Sequence, residues 1–89
     1  MAVYIDNFNA PYKKMIMCHL IADTQQELFE FVDKIEVKRK WVQHYKTPQE
    51  HFDICLSKKK KAISFGAIEI NMRDYAKIIN ERIEKAKQV

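Results

Sequence analysis

The sequence predicts a single domain of the α+β class, or a small α/β domain, with a small mixed sheet and a long C-terminal helix. Its 89 residues are enough for one compact domain. The 47% hydrophobic and 31% charged residues argue against a disordered chain, and one Gly with two Pro argues against collagen-like, flexible-linker and many-turned small-barrel folds. The apolar residues follow strand and helix periods in the approximate order β-β-α-β-β-α-β-α.

Two strands and a helix are predicted in the first part of the chain. Residues 2–6 form a short strand that ends at a carboxylate, and residues 15–22 are apolar on both faces, as in a buried strand. The segment between them contains Asn and Pro and predicts a turn. Thr24 and Glu27 form a capping box, and helical spacing of apolar residues predicts a helix over 25–35.

The second part of the chain predicts three strands and two helices. The strands cover residues 37–43, 51–56 and 67–70, and the helices cover about 58–65 and 72–88. Ser57 is the expected N-cap of the first of these helices, and Gly66 fits the position just past its end. We expect residues 1–70 to form the core domain. The helix within residues 71–89 should pack on that domain or at a homodimer interface.

The basic residues are concentrated in the middle of the chain. The net charge is +4 and the isoelectric point is about 9.1. Residues 1–33 carry a charge of −3, residues 34–61 carry +6 and residues 62–89 carry +1. This polarity favours an anionic partner that meets the middle segment.

The cysteines and the hydropathy indicate the cellular compartment in which the protein is expected. Cys18 and Cys55 lie 37 positions apart, without the spacing of a zinc site, and favour two reduced thiols. No apolar run approaches the roughly 18 to 20 residues that cross a bilayer, and the N-terminal residues lack the pattern of a signal peptide. We therefore expect a cytoplasmic protein without a membrane partner.

Two pairs of polar residues are candidates for catalysis. His19 lies near the end of a buried strand and Asp23 follows in the turn, where ligands gather in open sheets. His51 and Asp53 are two residues apart on a strand, so they share one face and could act as a general acid and base. The competing interpretations are a packed histidine with a helix-capping Asp, and the solvated face of an edge strand.

A second group of residues is a candidate for binding an anion. Lysines follow Ser57 at a helix start that is already partly positive, and an anion held by Ser57, Lys58 and Lys59 would relieve this repulsion. A solvated basic face is the alternative. Arg39, Trp41 and Gln43 mix basic, aromatic and polar groups, as in phosphate pairing with base stacking. A core position is nevertheless preferred for Trp41, the only tryptophan.

The sequence favours no metal and no cofactor. His19, Asp23, His51 and Asp53 are ligand types for zinc or manganese. A tight motif such as HExxH is absent, so any metal site would have to be assembled in three dimensions. The single Gly excludes a Gly-rich phosphate loop.

The motifs resemble a small bacterial and phage family known only as a domain of unknown function. Over about residues 2–70 the chain reads VYID, MCHLIAD, ELFEFV, KRKWVQ, HFDI and SKKKKAISFGAIEI, where the family typically reads VYVD, WCHLxAD, ELhxFA, RRxWFQ, HYDL and SKRxxAlxxGAvEV. The resemblance draws attention to Tyr4, Asp6, His19, Asp23, Trp41, Gln43, His51, Asp53, Ser57 and Lys58. Met17 and Phe52 depart from the family's aromatic residue and tyrosine, and Lys59 stands where Arg is favoured.

Three function classes follow from these observations. The first is binding of a phosphate-bearing small ligand, a nucleotide or a nucleic-acid end in a His/Asp/Lys pocket. The second is a hydrolase or transferase for a phosphorylated or nucleotide substrate, with His19 or His51 as acid or base. The third is a phage accessory protein that contacts a host protein or sequesters a signalling nucleotide.

Overall fold

The computed structural model describes residues 2–87, which form a mixed sheet of five strands and three α-helices. The strands are β1 (Val3–Ile5), β2 (Ala10–Tyr12), β3 (Met15–Ala22), β4 (Phe52–Cys55) and β5 (Ile68–Glu69), and the helices are α1 (Gln25–Lys34), α2 (Leu56–Ser64) and α3 (Met72–Lys87). A 3₁₀ turn covers Arg39–Trp41. The predicted α+β class, the small mixed sheet and the C-terminal helix are confirmed.

Strand β3 is the centre of the sheet. It pairs antiparallel with β1, β2 and β4, whereas β5 runs parallel to β1. Cys18 and Leu20 of β3 are buried on one face among residues of β4, α1 and α2. His19 alternates with them and therefore projects from the opposite face. The central strand thus separates the apolar core from the face that carries the polar candidates.

The ends of the first two helices are defined by specific residues. Thr24 caps α1, because its hydroxyl accepts the Glu27 N–H at 3.1 Å. Gly66 follows α2 with a φ of +104°, and its N–H donates to the Ile63 carbonyl at 3.0 Å. The predicted N-cap at Thr24 and the predicted glycine position are both confirmed, and the Glu27 carboxylate accepts a hydrogen bond from the Thr24 hydroxyl at 2.9 Å. Cys55, rather than Ser57, is the N-cap of α2, so that part of the prediction is wrong.

Helix α3 lies over the face of the sheet opposite α1 and α2. Tyr75 stacks on the ring of His19, and the Arg82 guanidinium donates a hydrogen bond to the Ala22 carbonyl. Ile79 is buried. The last residue of the predicted helix over 72–88 is outside the described residues. A homodimer through this helix stays a prediction, which light scattering at high concentration tests.

Two segments differ from the predicted elements. Residues 37–43 do not form a strand, because Trp41 and Val42 donate to the carbonyls of Lys38 and Arg39 in the 3₁₀ turn. Three consecutive basic residues also lack the apolar alternation of a strand. The predicted turn between the first strands contains β2, which pairs with the start of β3. Among residues 2–87, no helix has both the length and the apolar character needed to span a membrane.

Candidate functional site

Three polar residues from neighbouring strands lie side by side on the face of the sheet beneath α3. Asp53 of β4 is the direct register partner of His19 of β3. Asp6 follows β1 on the other side, and its N–H donates to the His19 carbonyl at 3.0 Å. Directly opposed residues in antiparallel strands have neighbouring side chains. The sheet register therefore places the His19 imidazole between two carboxylates.

The Asp6 carboxylate fixes the His19 ring through a hydrogen bond. Its side chain is fully buried, and Oδ2 lies 2.6 Å from His19 Nδ1. Oδ1 accepts the His19 N–H at 2.8 Å and the Phe8 N–H at 3.3 Å. Burial alone would raise the pKa of Asp6, but these hydrogen bonds together lower it. The hydrogen bond to Asp6 raises the pKa of His19 against the opposing effect of burial.

His51 reaches the same place from the residue before β4. Its backbone forms an isolated antiparallel bridge with Gln43, which anchors the start of the strand. The ring nitrogen Nδ1 lies 2.7 Å from the Gln49 carbonyl, and Nε2 lies 3.3 Å from Asp53 Oδ1. His19 Nε2 lies 3.8 Å from the same carboxylate oxygen. The 3.3 Å between His51 Nε2 and Asp53 Oδ1 confirms the predicted proximity of these two residues.

Aromatic rings enclose the His19 imidazole. Phe8 and Tyr75 stack on it at ring-centroid distances of 5.4 and 4.9 Å, and His51 contacts it edge-on at 5.0 Å. Burial, followed by the charges of Asp6 and Asp53, raises the pKa of Tyr75 to about 12. The Tyr75 phenol is therefore neutral near pH 7 and contributes no negative charge to the cluster.

An open groove of about 850 Å³ leads to this cluster. Its volume lies within the range of small-molecule sites, roughly 300 to 1,000 Å³. His19 and Asp53 line the groove, and so do the cations Lys13 and Lys58. Aromatic and apolar side chains form most of the remaining wall, among them Phe8, Pro11, Tyr12, Met15, Met17, Val37 and Trp41. The groove thus joins an apolar surface to titratable and basic groups.

Asp23 does not join the groove as the sequence had suggested. It accepts a hydrogen bond from the Ala2 N–H at 2.8 Å and lines a different cavity, with Tyr4 and Arg82. The carboxylate beside His19 comes instead from Asp6. Its position at the end of the first strand was noted in the sequence, but nothing in the spacing linked residues 6 and 19.

Two of the lysines after Ser57 form ion pairs with acidic residues, so their charges are better neutralised than the sequence suggested. Lys59 is nearly buried and pairs with Glu69 at 2.7 Å, and Lys61 pairs with Glu36 at 3.2 Å. Lys58 lines the groove and donates one hydrogen bond to the Ile35 carbonyl at 3.0 Å. Among Ser57 and the four lysines that follow it, all of them described residues, only Lys58 lines the groove.

The remaining predicted residues divide between the groove and the surface. Trp41 is 58% exposed and lines the groove, so the preference for a core position is wrong. Gln43 also lines the groove. Arg39 is exposed and forms a bidentate pair with Asp33, at 3.0 and 2.7 Å. Ser57 Oγ lies 3.2 Å from Cys55 Sγ at the start of α2.

Fold and site together define a small α+β domain with a histidine–carboxylate cluster beside a groove that is lined in part by aromatic residues. The family model described as "Protein of unknown function (DUF4031)" matches residues 3–82, and the chain belongs to this family. The match continues past the motifs quoted from the sequence into α3. No curated protein and no solved structure matches the chain.

Proposed function

We propose that the groove binds a phosphate-bearing ligand that carries an aromatic ring, namely a nucleotide or the end of a nucleic-acid strand. The observation that carries the proposal is that the lining of one groove combines three features: exposed aromatic rings, lysine side chains and the His19–Asp53 cluster. Sites for small molecules typically combine an apolar wall with a few convergent polar groups.

The aromatic wall supports recognition of a base. Trp41, Tyr12 and Phe8 line the groove and are 58%, 57% and 50% exposed. Apolar side chains grouped on a surface often mark a binding site. Stacking of a nucleic-acid base on an aromatic ring contributes about 1 to 3 kcal/mol by alanine substitution and tolerates any base. These rings therefore favour a planar ring system as one part of the ligand.

The lysines in the groove support recognition of a phosphate. A lysine ammonium has three N–H donors, and Lys58 uses one of them on the Ile35 carbonyl. That bond holds the ammonium at the groove, where the other donors can face a ligand. Lys13 lines the same groove, and its ammonium lies 5.5 Å from the Tyr12 ring centroid.

Fluorescence of the single tryptophan tests the proposal directly. Trp41 lines the groove, so a nucleotide or dinucleotide stacked there should quench its emission, with an affinity that falls as salt is added. Loss of one charge-assisted hydrogen bond in Lys58→Ala should weaken binding by about 10-fold or more. Lys60→Ala removes the same charge on the same helix, outside the groove lining, and is the matched control.

The outcomes separate the proposal from nonspecific attraction. Binding that weakens in Lys58→Ala and is retained in Lys60→Ala supports the groove. Equal losses in both variants would indicate a general charge effect, and no saturable quenching across the panel would reject the proposal.

Catalysis on the same ligand is the second candidate. It is favoured by the two imidazoles whose Nε2 atoms both lie beside Asp53. A hydrolase or transferase would release or transfer a phosphoryl or nucleotidyl group, and His51→Ala would abolish turnover while ligand binding persists. A ligand recovered unchanged after long incubation would instead support simple binding, which includes sequestration of a signalling nucleotide.

A further inference from the structure

The cluster beside the groove brings together three groups that ligate metals. One ligand atom from each of His19, His51 and Asp53 lies within 4.8 Å of the other two. The individual separations from Asp53 Oδ1 are 3.3 Å for His51 Nε2 and 3.8 Å for His19 Nε2. Ligands around a tetrahedral zinc ion with bonds of about 2.0 to 2.1 Å lie about 3.3 Å apart. Small side-chain movements would therefore bring all three onto one ion.

The hydrogen bonds behind the two rings direct the correct nitrogen atoms to this point. The Gln49 carbonyl can only accept, so the hydrogen of a neutral His51 lies on Nδ1. The carboxylate of Asp6 likewise accepts from Nδ1 of His19. In both neutral rings the lone pair is then on Nε2, the atom that faces Asp53. Carbonyl and carboxylate partners of this kind orient metal-bound histidines.

The surrounding charges also suit a cation. Asp6 is buried and Asp53 is half-exposed in the same cluster, and the described residues offer Asp53 only histidines as ion-pair partners. A phosphate next to these carboxylates would be repelled unless a cation lay between them. The exposed side of Asp53 lines the groove, where water or a ligand oxygen could complete the coordination.

The geometry points to a site for one divalent first-row transition-metal ion, bound by His19 Nε2, His51 Nε2 and the Asp53 carboxylate, with its remaining positions open to the groove. Asp6 and the Gln49 carbonyl are positioning groups behind the two imidazoles. Two imidazoles and one carboxylate, with open positions, are the ligand set of catalytic zinc and non-haem iron centres. All three donor atoms belong to this chain, so the metal can bind whether or not the groove binds the proposed nucleotide.

Titration of the chelator-treated full chain with Zn²⁺ or Co²⁺ tests the site. We expect one ion per chain by calorimetry, and Co²⁺ absorption without a thiolate charge-transfer band. His51→Ala removes a direct ligand, and Asp53→Asn replaces the charged carboxylate ligand by a neutral amide. Loss of a group that only hydrogen-bonds to a metal ligand can weaken metal binding by up to about 100-fold. Each of these variants alters a ligand itself and should weaken Zn²⁺ binding by about 100-fold or more. Heteronuclear NMR spectra show whether each variant is folded. If His51→Ala does not fold, Asp53→Asn still tests the site, because Asp53 is half-exposed and its replacement disturbs the packing less.

His44→Ala is the matched control, because His44 is the remaining histidine and stacks on His51 from outside the ligand set. It should keep wild-type affinity within about threefold. Equal weakening in His44→Ala, unchanged binding in the ligand variants, a cobalt–thiolate band or no stoichiometric binding would each overturn the site. Trp41 fluorescence with nucleotide in chelator reports the groove separately, so failure of the metal site and failure of the proposed function are distinguishable.

Discussion

Replacement of Asp6 by asparagine should destabilise the metal-free protein by about 2 kcal/mol. Asn can still accept the backbone N–H groups of His19 and Phe8 through its Oδ1 atom. It loses the charge-assisted hydrogen bond with His19 Nδ1, which is 2.6 Å long beside a fully buried carboxylate. Hydrogen bonds to charged groups contribute about 1.5 to 3 kcal/mol. A domain of this length has about 5 to 13 kcal/mol of stability, so the variant should fold and the loss should be measurable.

Urea denaturation followed by circular dichroism, with chelator present, measures this change. Asp33→Asn is the control, because it removes a carboxylate of the same type from the exposed pair with Arg39. Exposed ion pairs contribute little, so this variant should lose less stability than Asp6→Asn. A change below about 0.5 kcal/mol in Asp6→Asn, or an equal change in both variants, would refute the assignment of Asp6 as the buried support of His19.

Two further changes test other parts of the structure. Cys55 lines the groove and is partly exposed, whereas Cys18 is 1% exposed. A thiol reagent should therefore modify Cys55 in the native protein and Cys18 only in urea, and rapid modification of both would contradict the burial of Cys18. Gly66→Ala should cost about 1 to 2 kcal/mol in urea denaturation, because its φ of +104° is unfavourable for a residue with a Cβ atom, and an unchanged midpoint would contradict that conformation.

Local patterns predicted most of the secondary structure. The N-cap at Thr24 and the glycine at position 66 depend on interactions within a few residues, and the structure confirms both. The segment 37–43 shows where this reasoning fails. The 3₁₀ hydrogen bonds join residues three apart and the Arg39–Asp33 pair joins residues six apart, so both are local contacts that the period of the apolar residues does not report.

The candidate site could be predicted only in part for a similar reason. The period of a strand places His51 and Asp53 on one face, and their contact follows directly. The position of Asp6 beside His19 depends on the register between β1 and β3, which no spacing in the sequence specifies. Lys59 and Lys61 meet acidic residues from other segments, so a run of lysines in the sequence became a set of individual ion pairs.

Linkage between the metal and the ligand tests most directly whether the cluster and the groove form one site. The measurement is the dissociation constant of a nucleotide, read from Trp41 fluorescence, with and without a saturating divalent ion in wild type and Asp53→Asn. A metal that bridges Asp53 and a phosphate should tighten binding about 5- to 150-fold in wild type and have little effect in the variant. Equal affinities with and without the metal, or the same enhancement in Asp53→Asn, would contradict a shared site.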